Sequence, residues 1–123
     1  MLNRLLIIDD NQDILVVLRQ MLNDAFQVAT VPSAQEGLQR FVEGETFDVV
    51  LCDLTMPGMT GMEWYEKIKA EFPEMEKRIL FMTGGPRSSE AAEFMKVMGK
   101  RVVEKPFEPR TLRALLTQIA KMD

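Results

Sequence analysis

Five residues with reactive side chains each stand at the end of a short apolar run. Leu5-Leu6-Ile7-Ile8 leads into Asp9-Asp10, Val49-Val50-Leu51-Cys52 into Asp53, and Ile79-Leu80-Phe81-Met82 into Thr83. Val102-Val103 precedes Lys105 by one residue. Together they supply three carboxylates, a hydroxyl and an ammonium. Carboxylates crowded into one place repel by about 4 kcal/mol per pair at about 4 Å and an effective dielectric of about 20. A hard divalent cation relieves that repulsion. Mg2+, or Mn2+ in its place, suits the set because it takes one or two carboxylates and keeps positions open for a phosphate oxygen. The chemistry this set fits is a phosphoryl group on Asp53, its oxygens neutralised by the cation, Thr83 and Lys105.

Such a site needs elements that bring the run ends together. The apolar runs are continuous rather than alternating, which predicts strands covered on both faces. Residues 27–31 read as a further, weaker strand. Between the strands, Ile14, Leu15, Leu18, Met21 and Leu22 recur at helical spacing, as do Leu112, Leu115, Leu116 and Ile119. Ser33 with Glu36, and Thr60 with Glu63, are capping-box patterns that open helices. Ser88 or Ser89 caps a helix bearing Ala91, Met95 and Met98, and Pro73 ends the helix before it or its exit. Five strand–helix units of this kind predict an α/β fold: a doubly wound, five-stranded parallel sheet with helices on both faces. The order 2-1-3-4-5, flavodoxin-like, is taken from the known arrangement of such sheets and not from the residues themselves. It puts strand 2 at an edge and gathers the other four strand ends around one crevice. Neighbouring strands lie about 4.8 Å apart, so Asp10 and Asp53 share one cation while the long Lys105 stem spans about 10 Å.

Taken singly, each residue has a plainer explanation. An aspartate after a strand commonly caps a helix or forms a turn, as Asp9 and Asp13 could. A lone lysine is ordinarily solvated surface. Cys52 lies in a buried strand pattern and reads as an inert core thiol. Most of the 10 methionines are core filler, although Met56, Met59 and Met62 in and after the loop beyond Asp53 are harder to place. What resists the plainer account is five such groups at strand ends.

Composition narrows the classes further. The 123 residues suit a single domain over 1–123. They contain no histidine, hence no imidazole base, His–Zn site or phosphohistidine of their own. One cysteine excludes an intrachain disulfide and points to a reducing compartment. No run approaches the roughly 20 apolar residues of a membrane span. A cytoplasmic location is expected, with no membrane contact by this domain. The net charge of −4 disfavours nucleic acid as a direct partner. Charge is uneven: residues 1–86 hold 7 basic and 14 acidic side chains, residues 87–123 hold 8 and 5.

With Asp9-Asp10, the run from Asp53 through Met56-Pro57-Gly58 to Gly61, Thr83 and Lys105-Pro106-Phe107, the whole chain resembles a response-regulator receiver domain. The resemblance implies two-component phosphorelay signalling. Asp53 would accept a phosphoryl group from the phosphohistidine of a sensor histidine kinase or phosphotransfer domain. Asp9, Asp10, Asp53 and the main-chain carbonyl of Thr55 would hold Mg2+, Asp10 directly and Asp9 partly through water. Thr83 and Lys105 would each meet a phosphoryl oxygen, and Lys105-Pro106 would be a cis peptide aiming the lysine. The isolated domain would not be an enzyme beyond assisting its own phosphorylation and dephosphorylation. Output would be read by a protein partner on the last helix–strand–helix, within residues 87–123. Met-Thr-Gly-Gly with Lys-Pro-Phe looks like receivers attached to hybrid histidine kinases, so a stand-alone regulator and a domain of such a kinase both stay open.

Two positions depart from the family pattern. Many members carry an aromatic residue three places before the lysine, where this chain has Val102, and alanine where it has Gly84. The expectation is signalling through the 84–90 loop instead of a rotating aromatic ring. Rival readings fit less well. A phosphohydrolase of the haloacid-dehalogenase type would resemble Asp-x-Asp, but the second acid position is Thr55. A nucleotide-binding enzyme would need a glycine-rich or Walker-type loop, which is absent. A binding module that is never phosphorylated would not need all five reactive groups.

Overall fold

The continuous apolar runs pair side by side in parallel, and helices packed on either side of the sheet cover their faces. The computed structural model describes residues 2–122. Its strands are β1 (Asn3–Ile8), β2 (Phe26–Val31), β3 (Val49–Asp53), β4 (Ile79–Thr83) and β5 (Val102–Glu104). All pairings are parallel and the order is β2-β1-β3-β4-β5. The helices are α1 (Gln12–Leu22), α2 (Ala34–Val42), α3 (Gly61–Glu71), α4 (Ser89–Met98) and α5 (Pro109–Ala120). The expected doubly wound α/β sheet is the architecture found.

Alternation along each strand divides the interior into two layers. Leu5, Ile7, Val49, Leu51, Leu80 and Met82 face Leu15, Leu18 and Leu22 of α1 and Leu112 and Leu116 of α5. Leu6, Ile8, Val50, Cys52, Ile79 and Phe81 face α2 and α3, where Phe41, Trp64, Tyr65 and Ile68 are buried. Met56 is buried in this second layer, with Met59 and Met62 packed against it, which places all three methionines. Cys52 is buried too, and burial, followed by the charges of Asp53 and Asp9, pushes its thiol well above the usual range.

Short-range polar signals set where each helix starts. Asn11 caps α1 by accepting from Asp13 and Ile14 N–H, Ser33 caps α2, and Thr60 with Glu63 forms a full capping box on α3. Ser88, not Ser89, caps α4, and Glu108 ahead of Pro109 caps α5. Asn11 therefore takes the capping role open to Asp13. The exit of α3 follows the expected proline break. The helix stops at Glu71, and Pro73 opens a short 3-10 segment, Pro73–Arg78, leading into β4.

The helices are not equally anchored. α4 buries only Ala91, whereas α1, α2 and α5 bury three residues each and α3 buries four. The helix that follows the Gly84-Gly85 turn is thus the most weakly held.

Candidate functional site

The carboxyl ends of β1, β3, β4 and β5 converge at one rim of the sheet. Asp9 lies just past β1, Asp53 ends β3, Thr83 ends β4, and Lys105 follows β5. One carboxylate oxygen from each of Asp9, Asp10 and Asp53 lies within 4.8 Å of the others. Asp9 and Asp53 are buried and Asp10 is exposed. Three hard oxygen donors this close fit a small divalent cation, which would offset their mutual repulsion.

Lysine completes the set. Lys105 Nζ is 3.2 Å from Asp9 Oδ2 and 3.7 Å from Asp53 Oδ1. Asp9 uses its other oxygen, Oδ1, to accept from Asn11 N–H at 2.9 Å. It is therefore both a turn former and a member of the acidic cluster. Because both its oxygens are engaged, exposed Asp10 is the freer of the first two acids. The Lys105-Pro106 bond is cis.

Asp53 carries the consequence of this crowding. Burial, and then the charge of Asp9, lifts its carboxyl from 3.8 to about 6, with Asp10 adding to the rise. Lys105 and the Thr55 backbone N–H act in the opposite direction and are outweighed. Loop geometry behind Asp53 is set by Gly61, the first residue of α3. A Cβ there would run into the Asp53 carbonyl oxygen and stand 2.9 Å from Leu54 Cα.

Thr83 sits where the chain order puts it, but its hydroxyl is occupied. Oγ1 donates to the Gly85 carbonyl and accepts from Gly85 N–H, each at 3.1 Å. Gly85 has φ +121°, a conformation few side chains tolerate, whereas Gly84 is exposed with open space around it. Val102 is half-buried against the second core layer. The same layer holds a feature that periodicity did not reveal. Phe81, Phe94 and Tyr65 form a closed set of edge-to-face contacts, with ring centroids 5.1 to 5.7 Å apart. Phe81 is two residues before Thr83 on the same strand face, and Phe94 belongs to α4. Aromatic contact with α4 therefore exists here without an aromatic at position 102.

A family model described as the response regulator receiver domain matches residues 5–117. The chain belongs to that family. Its acidic cluster is of the kind in which receiver domains hold Mg2+. A CheY-like receiver domain protein from Methanospirillum hungatei superposes with a TM-score of 0.83 at 32% identity, covering 98% of this chain and 94% of the other. Chemotaxis protein CheY4 of Vibrio cholerae gives a TM-score of 0.78 at 29% identity, covering 97% and 99%. The transcriptional regulatory protein FixJ of Bradyrhizobium diazoefficiens is 35% identical over 114 residues, which is 89% of this chain and 53% of that protein. The chain spans about half, or less, of the curated relatives it matches. Among the described residues no helix is long and apolar enough to cross a membrane.

Proposed function

We propose that residues 1–123 act as one phosphoacceptor unit, in which Asp53 takes a phosphoryl group from the phosphohistidine of a sensor histidine kinase or phosphotransfer domain. The observation carrying this reading is the joint geometry of Asp9, Asp10, Asp53 and Lys105 at one sheet rim. In the transfer, an Asp53 carboxylate oxygen forms a P–O bond as the donor's P–N bond breaks. The bonding pair leaves on the donor's imidazole nitrogen. Bound Mg2+, held by Asp9, Asp10, Asp53 and the Thr55 carbonyl, would supply charge neutralisation for the phosphoryl oxygens. Lys105, already beside Asp53, turns to one of those oxygens. Thr83 exchanges its bonds to Gly85 for another, which frees the 84–90 loop and the weakly anchored α4. The new group adds about −1.5 to −2 charges. Moving a two-state equilibrium from 1:99 to 99:1 takes about 5.5 kcal/mol of differential bonding, on the order of two or three charge-assisted bonds.

The donor's approach has a physical basis. A groove lined by Ile14, Val17 and Met21 of α1 and by Pro106 and Phe107 includes Lys105 on its wall. Val16 and Val17 are more than half exposed on this helix. A donor helix seated there lies next to the carboxylate it must reach. A protein output partner reads residues 87–123, in a cytoplasmic setting. Incubation with labelled acetyl phosphate or phosphorylated kinase, with and without Mg2+, tests the reading. Label on wild type that is lost with chelator and in Asp53→Asn supports it; retention by Asp53→Asn removes Asp53 as acceptor.

A further inference from the structure

A second groove, of about 500 Å³, lies between α3 and α4 on the opposite side of the sheet from α1. Its apolar part comes from Met62, Tyr65, Phe94, Val97 and Met98. Val97 is 71% exposed, the most open of the large exposed hydrophobics. Around it stand Glu66, Glu90 and Glu93, with Lys69 as the cation on this rim. Glu66 and Glu93 make no ion pair among the described residues. Carboxylates bordering apolar surface and lacking internal partners favour a cationic amphipathic ligand. The same border disfavours an anionic membrane or nucleic acid.

We propose that this groove docks a basic amphipathic helix of a partner protein. Its walls are helices of 11 and 10 residues, each running roughly 15 Å, so the occupant fits as about three turns. Apolar side chains at i, i+3 or i+4, and i+7 enter between α3 and α4, and flanking Lys or Arg meets Glu66 and Glu93. A second copy pairing the same faces would set acid against acid. Tyr65 and Phe94 belong both to the groove and to the aromatic set reaching Phe81, so the bound helix rests directly on the contact between α4 and the sheet. The α3 wall extends this surface beyond residues 87–123. It does not depend on phosphorylation of Asp53.

The test is an amide-shift titration of the Mg2+-saturated protein with a synthetic peptide of about 14 residues, Leu and Lys in helical amphipathic order, at about 0.15 M salt. A Leu–Glu peptide of the same order is the control. The largest shifts are expected at residues 65, 66, 94 and 97. The double variant Glu66→Lys/Glu93→Lys, altered at exposed positions, should lose at least tenfold affinity for the basic peptide and gain the acidic one. Val97→Asp should weaken both. Shifts confined to the groove between Ile14 and Phe107, equal affinity for both peptides, or unchanged binding by the double variant would each overturn the proposal. So would self-association that moves the same residues without peptide.

Discussion

Asp53 is buried with Asp9 beside it, and its carboxyl titrates near 6 instead of 3.8. A proton is therefore held more tightly in the folded chain than in the unfolded one. The stability from this group is complete below about pH 3.8 and is lost as pH rises through about 6. The gap corresponds to about 3 kcal/mol at roughly 1.4 kcal/mol per pH unit. Replacing Asp53 by Asn keeps the side chain's size and removes the charge. Part of the gain is offset because Lys105 loses its partner at 3.7 Å. The net expectation for Asp53→Asn without metal at about pH 7.5 is a gain of about 1–2 kcal/mol, or roughly 4 °C in Tm per kcal/mol. The gain should close by about pH 4, and Mg2+ should stabilise wild type more than the variant. Urea melts of both proteins from about pH 4 to 8, in chelator and in Mg2+, read this out. Parallel pH curves in chelator, or a less stable variant at neutral pH, would refute electrostatic crowding at Asp53.

Other substitutions separate the parts of the site. Lys105→Ala leaves buried Asp9 without its cation, and should cost about 3 kcal/mol in chelator by urea melt, with less loss in Mg2+. The same variant should retain Mg2+ binding by calorimetry while its labelling by acetyl phosphate falls. Gly61→Ala forces α3 away from the Asp53 carbonyl and should destabilise by about 1–3 kcal/mol, measured by the same melts. Gly84→Ala meets nothing within 4 Å and should stabilise by about 0.4–1 kcal/mol. Amide exchange across residues 84–90 should slow in that variant, and should change in wild type on adding a phosphoryl mimic. An unchanged 84–90 segment would reject the loop as the route of signalling.

Much of this was legible before any tertiary contact was known. The caps Ser33, Thr60 and Ser88 act within three residues, and the apolar runs report burial on both faces through a two-residue period. Both signals are local, so the chain order of strands, helices and strand-end acids follows from them. Distances between remote residues do not. Lys105 and Asp9 are 96 positions apart, and their contact depends on where β5 and β1 fall in the sheet. Only packing decided that Asp53 would hold its proton so tightly, that Thr83 would rest against Gly85, and that Phe94 would join Phe81 and Tyr65. Burial depth and side-chain direction arise from all layers at once. Spacing alone therefore supplied the groups and their places in chain order, while the folded sheet set which oxygen faces which charge.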